Sequence, residues 1–146
     1  MKLIVPLIVI ALGAGAAEKQ VAMKDLPPAV QKTIQDQTKG AEIKGITRET
    51  EKGKTTFEVE TLVAGKHRDF DLDASGAVIE VEEETTLDAL PVAAKAAIVK
   101  KAASGKIALV ETVTRGAATS YEATYTSRNG KKHEFSVKPD GTEIKE

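Results

Sequence analysis

The sequence predicts an α+β protein made of two tandem repeats, each a helix packed on a four-stranded antiparallel meander sheet. Three observations carry that reading. First, the segment Leu26-Pro27-Pro28-Ala29-Val30 to Ile34 returns as Leu90-Pro91-Val92-Ala93-Ala94 to Ile98. The copies stay in step downstream, where Phe57-Glu58-Val59 meets Tyr121-Glu122-Ala123. After a single-residue insertion, Gly65-Lys66, Phe70, Leu72, Gly76 and Ile79 meet Gly130-Lys131, Phe135, Val137, Gly141 and Ile144. Second, the stretches after each helix alternate apolar and polar residues, the period of a half-buried strand. Third, the stretches are punctuated by Lys52-Gly53, Ala64-Gly65, Ser75-Gly76, Asn129-Gly130 and Asp140-Gly141, the chemistry of tight hairpins.

Taken in order, the chain opens with Met1-Lys2, an apolar run from Leu3 to Leu12 and the small residues Gly13 to Ala17. A basic start, a core too short to span a bilayer and small side chains before a cut are the marks of a secretory signal. Residues 1–17 are therefore expected to be a signal peptide cleaved after Ala16 or Ala17, delivering the protein to the periplasm or outside the cell. Residues 18–25 show no periodicity and are expected to be a mobile polar leader. Repeat 1 then spans 26–83, a linker 84–89, and repeat 2 spans 90–146.

In each repeat the helix is expected to begin at an aspartate and a proline. Asp25 would accept first-turn amides, and Leu26, Val30 and Ile34 form one stripe; Asp88, Leu90, Ala94 and Ile98 repeat the arrangement. Gly40 and Gly105 are expected to end the two helices. Strands are expected at 43–50, 55–63, 66–73 and 77–83. Phe57, Val59, Thr61 and Val63 share one face and Glu58 and Glu60 the other; Phe70 and Leu72 oppose Asp69, Asp71 and Asp73. One face is apolar and helix-covered, the other wet. The two sheets form either one continuous eight-stranded surface or two separate sandwiches.

Composition narrows the functional classes. The 146 residues are 41% hydrophobic and 29% charged, ordinary for a globular protein, but only 3% aromatic. Phe57, Phe70, Tyr121, Tyr125 and Phe135 supply the large packing groups. The absence of cysteine removes disulfides, thiolate chemistry and a lipidated N-terminal cysteine. Residues 26–89 carry an acidic excess and residues 90–146 a basic one. The basic half spreads its lysines over helix and turns without interleaved aromatics, which excludes a nucleic-acid face.

The frame of Leu26-Pro27 and its helix, Thr56-Phe57-Glu58-Val59, Gly65-Lys66, Phe70-Asp71-Leu72-Asp73 and Gly76-Ala77-Val78-Ile79-Glu80-Val81 resembles the PepSY-like, beta-lactamase-inhibitor-like domain family. The second repeat carries the same frame from Leu90 to Glu146. The resemblance implies a helix-on-sheet repeat of exported bacterial proteins that bind or restrain secreted enzymes and perform no catalysis.

Candidate sites follow. Asp71, Asp73, Ser75, Gly76 and Glu82 have the spacing of a calcium loop, but strands flank them where an EF-hand needs helices, so a plain hairpin turn is expected. Asp69, Asp71, Asp73, Glu80, Glu82, Glu83 and Glu84 run without an intervening base, giving either a solvated face that discourages strand addition or a docking surface for a basic partner. No Gly-x-Ser-x-Gly elbow, phosphate loop or His-Glu-x-x-His is present. Carboxylates on exposed strands lack the shelter that general acid catalysis needs. The expectation is therefore a non-enzymatic protein without cofactors that binds another exported protein. The binding face would comprise Glu58, Glu60, Asp69, Asp71, Glu122, Thr124 and Glu134. Opposite charge on the two halves would allow weak self-association; neither a nucleic acid nor, once the signal is cut, a membrane is expected as partner. The alternative is a cation-binding or envelope-sensing protein that uses the acidic face of repeat 1.

Overall fold

A computed structural model describes residues 17–145; of the expected signal peptide, all but its last residue, Ala17, lies outside them. Strands β1 (Ala17–Gln20), β2 (Glu42–Glu51), β3 (Lys54–Val63), β4 (Lys66–Asp73), β5 (Val78–Glu84), β6 (Lys106–Arg115), β7 (Ala118–Thr126), β8 (Lys132–Val137) and β9 (Glu143–Ile144) form one antiparallel sheet in sequence order. Helix α1 (Pro28–Gln37) lies between β1 and β2 in the chain, and α2 (Val92–Ala102) between β5 and β6. The sheet is continuous: Val81 to Glu84 of β5 pair with Thr114 to Glu111 of β6.

Local chemistry explains most of these elements. The β2–β3 and β3–β4 hairpins turn through Lys52-Gly53 (φ 49° and 78°) and Ala64-Gly65 (φ 52° and 80°), two consecutive left-handed residues whose twist matches that of the strands. The inserted residue falls in the longer β7–β8 turn. Beyond the turns the registers agree, with Phe57 opposite Leu72 and Val59 opposite Phe70. In the second ladder Tyr121 lies opposite Val137 and Ala123 opposite Phe135.

Each helix lies on one face of the sheet over its own core. Val30 and Ile34 of α1 pack with Leu26, Ile46, Phe57, Val59, Phe70 and Leu72. Ala94 and Ile98 of α2 pack with Leu90, Val110, Ala123 and Val137, with Tyr121 and Phe135 partly buried against them. The hairpin tips come close enough to touch the helices. A Cβ at Gly76 (φ 86°) would stand 2.7 Å from the Ala29 carbonyl oxygen, and one at Gly141 (φ 84°) 2.7 Å from that of Ala93. Thr33 Oγ1 also donates to the Gly76 carbonyl at 2.7 Å. Glycine is required at both tips by backbone angle and by space.

Four expectations need correction. The helices start at Pro28 and Val92, with no side-chain cap from Asp25 or Asp88, which instead sit in short 3-10 turns, Met23–Asp25 and Leu87–Ala89. Leu26 and Leu90 are extended (ψ 156° and 154°), because each precedes a proline whose ring excludes the helical conformation. Ala103 (φ 49°, ψ -114°), not Gly105, takes the positive-φ position that ends α2. Gly105 is needed for space, since a Cβ there would meet the Thr126 carbonyl oxygen at 2.7 Å. The stretch expected to be a mobile leader includes an edge strand: Ala17 to Gln20 pair with Thr50 to Thr47 of β2.

Candidate functional site

Alternation along the strands sends two sets of side chains to opposite sides of the sheet. Phe57, Val59, Phe70, Leu72, Val110, Ala123 and Val137 meet the helices. Residues one step out of phase form the open face, and the registers place them side by side. Glu58 lies opposite Asp71, Asp71 opposite Glu80, and Asp69 opposite Glu82. Glu111 lies opposite both Glu84 and Glu122, and Glu122 opposite Ser136. Carboxylates therefore stand in rows at the strand spacing of about 4.8 Å.

The expected binding residues Glu58, Glu60, Asp69, Asp71, Glu122, Thr124 and Glu134 all occupy this open face. Their environments differ. Glu58, Glu60, Asp71, Glu122 and Thr124 are half-buried and Glu134 is exposed, whereas Asp69 is only 2% exposed. Asp69 Oδ1 accepts the Thr61 amide at 2.8 Å. Glu111, absent from the expected set, is 3% exposed. The expectation of a uniformly wet face is thus corrected at its centre, where neighbouring carboxylates shade one another. Glu111 was legible as an open-face residue because it follows Val110 in an alternating strand. Its neighbours were not, because they depend on how β5 and β6 align.

This crowding raises the proton affinity of the group. Burial, followed by the nearby Asp71 and Glu60 charges, pushes Glu58 up to about 8. Burial and the Glu80 charge push Asp71 up to about 7, against a smaller opposing pull from Arg115, which pairs with Glu80. Burial and the Glu122 charge bring Glu111 to about 7. Asp69 is raised by burial against the opposing effect of the Thr61 amide. Glu82 is raised by burial, by the Glu122 charge and by a hydrogen bond shared with Glu80.

The spacing that suggested a calcium loop is used differently. Asp73 Oδ1 accepts the Ser75 amide at 2.9 Å, the Ser75 hydroxyl at 2.6 Å and the Ala77 amide at 3.1 Å. These bonds, that of the Ser75 side chain first, hold Asp73 below the usual carboxylate range. They build the β4–β5 turn. Asp71 faces Glu58 and Glu80, and Glu82 joins Asp69 across the strands, so Asp71, Asp73, Ser75 and Glu82 do not converge. His133 lies on the helix side, stacked on Tyr125 with ring centroids 5.0 Å apart and its Nε2 3.0 Å from Ser127 Oγ.

Near the far edge a cleft of about 210 Å³ is lined by Glu122, Glu134, Ser136 and Ile144, among others. A larger open groove of about 710 Å³ is lined by Val21, Leu26, Arg48, Phe57 and Ala74, among others. Among the described residues, no helix is long and apolar enough to cross a membrane.

No family model matches the chain, and no curated protein matches it. Solved structures do. A Bacteroides eggerthii protein provisionally described as periplasmic is 16% identical, with a TM-score of 0.64 over 82% of this chain and 86% of its own. A DUF2874 family protein from Bacteroides ovatus is 18% identical, with a TM-score of 0.61 over 82% and 85%. A BLIP-like protein from Bacteroides fragilis is 18% identical, with a TM-score of 0.56 over 82% and 84%. None of the three carries the name of an enzyme. Likeness at these identities speaks to architecture: two helices on a nine-stranded antiparallel sheet make this a BLIP-like fold.

Proposed function

We propose that this is an exported, non-catalytic binding module whose open sheet face engages another exported protein through a basic surface of that partner, restraining it as an inhibitor restrains a hydrolase. The observation that carries the reading is the row of carboxylates on the side of the sheet opposite the helices. A face built for solvent alone has no need to crowd acids until they resist ionising, since like charges opposite each other cost stability. A cationic partner would offset that cost. Association would then release protons, and affinity would climb between pH 6 and 8 as Asp71, Glu111 and Glu58 ionise.

The same reading takes the chain as two copies of one PepSY-like helix-and-meander unit, and the N-terminal segment as a signal cut after Ala16 or Ala17. The matched registers of β3–β4 and β7–β8 and the matched glycine contacts at Gly76 and Gly141 support the duplication. Likeness to structures provisionally described as periplasmic supports export.

The test is affinity capture from an envelope extract by the wild-type chain and by the charge-reversed Glu60→Lys/Glu134→Lys variant, with Lys32→Glu on the helix side as control. A protein retained by the wild type and control, released by high salt and lost from the double variant is the expected result. Identical retention by all three chains would remove the sheet face from consideration.

A further inference from the structure

Three of the open-face carboxylates form a tighter group than the rest. Asp69 of β4, Glu82 of β5 and Glu111 of β6 each offer an oxygen, and these oxygens lie within 4.8 Å of one another. Asp69 and Glu111 are 2% and 3% exposed. Their Oδ2 and Oε1 atoms, respectively, are buried without a hydrogen-bond partner. Buried carboxylate oxygens left bare destabilise the fold unless a cation or donor meets them. Among the described residues no ion pair joins any of the three to lysine or arginine. Neighbouring charges deepen the deficit at Glu111, which Glu122, Asp69, Glu134 and Glu84 all raise; at Asp69 burial outweighs the pull of the Thr61 amide and then of His67.

The spread of the oxygens fits a shared ion. Ligands about 2.4 Å from one cation can be no more than about 4.8 Å apart. The donor set contains only carboxylate oxygen, which selects calcium, magnesium or manganese over zinc or copper. We propose that Asp69, Glu82 and Glu111 bind a hard divalent cation, of the calcium and magnesium class, at the seam where β4, β5 and β6 lie side by side. The site draws on both helix-bearing parts of the chain, so an ion there fastens the β5–β6 ladder from the open face. It is distinct from the turn at Asp73, whose carboxylate is already engaged, and it does not depend on the protein-partner reading.

The test uses the full chain stripped with EDTA and titrated at pH 7.5 with calcium chloride, and separately with magnesium chloride, by calorimetry and thermal unfolding. Saturable heat and a rise in Tm with either ion are expected. Glu111→Gln and Asp69→Asn should each weaken binding at least about tenfold, because ligand charge count sets affinity at such sites. Asp36→Asn, on exposed α1 across the sheet from the cluster, should bind as the wild type does. Glu111→Gln without metal should be at least as stable as the wild type, showing that lost binding is not lost folding. No saturable heat with either ion up to about 10 mM, well above the weakest physiological calcium sites, would overturn the proposal. So would equal affinity in wild type, Glu111→Gln and Asp69→Asn.

Discussion

The two helix-and-sheet parts place matched residues in matched positions, yet they fill their cores differently. Val30, Phe57, Val59 and Leu72 in the first correspond to Ala94, Tyr121, Ala123 and Val137 in the second. Phe70 is 1% exposed, whereas its counterpart Phe135 is only partly buried, with Tyr125 at its edge and the Lys101 ammonium over its ring. The first core concentrates its volume under α1; the second uses a smaller helix face and moves its aromatics toward the margin. The two parts thus pack differently beneath their helices, although each helix meets a glycine at a hairpin tip in the same way.

That comparison can be broken most directly at the aromatics. Phe70→Ala should cost about 3–5 kcal/mol and Phe135→Ala about half as much, because the cost follows the buried contacts removed; urea unfolding monitored by circular dichroism measures both. Equal losses would mean that the second core is as filled as the first. Next come the glycine tips. Gly76→Ala and Gly141→Ala should each cost about 2–4 kcal/mol, through positive φ and overlap with a helix carbonyl. Gly53→Ala, at φ 78° with open space around it, should cost about 1 kcal/mol. Unequal effects at the two tips would show that one helix is held by other means.

The third effect depends on pH. Carboxylates whose folded values are raised stabilise the protein fully below their unfolded values, and that contribution is lost as pH rises through the folded ones. With Asp71 and Glu111 at about 7 and Glu58 at about 8, stability should fall between roughly pH 4.5 and 8. In EDTA, Tm at pH 8 should lie about 5 °C or more below that at pH 5. Glu58→Gln in the first part and Glu111→Gln in the second should each flatten the slope. A Tm that rises over this range would show that the open face is hydrated and its acids ordinary. The smallest effect should be Ile34→Val against Ile98→Val, both side chains fully buried, at about 1 kcal/mol each; a clear excess at one of them would locate the tighter helix contact.

Much of the fold was legible because it rests on local chemistry. Lys52-Gly53 and Ala64-Gly65 announce their hairpins, and Val30, Ile34, Phe57 and Phe70 announce the covered face. The helix starts were misread because the proline rule at Leu26 and Leu90 outweighs the capping preference of Asp25 and Asp88. β1 was missed because an edge strand of Ala17, Glu18, Lys19 and Gln20, all exposed, needs no alternating pattern; it is held by backbone pairing and by the Gln20 amide donating to Thr47 Oγ1 at 2.6 Å. The carboxylate cluster was hidden for a different reason. Asp69 and Glu82 are close because of a local hairpin, but Glu111 arrives through the β5–β6 register, a contact that no nearby sequence specifies.

β1 also shields its neighbour. Its four residues cap the Thr47–Thr50 half of the ten-residue strand β2, and the Val21 amide continues the cover to the Ile46 carbonyl. A protease that trimmed the chain past Val21 would uncover a long row of unpaired backbone groups of the kind that recruits strands from other molecules. A clipped form should therefore be stickier than the intact chain, growing into oligomers from that margin.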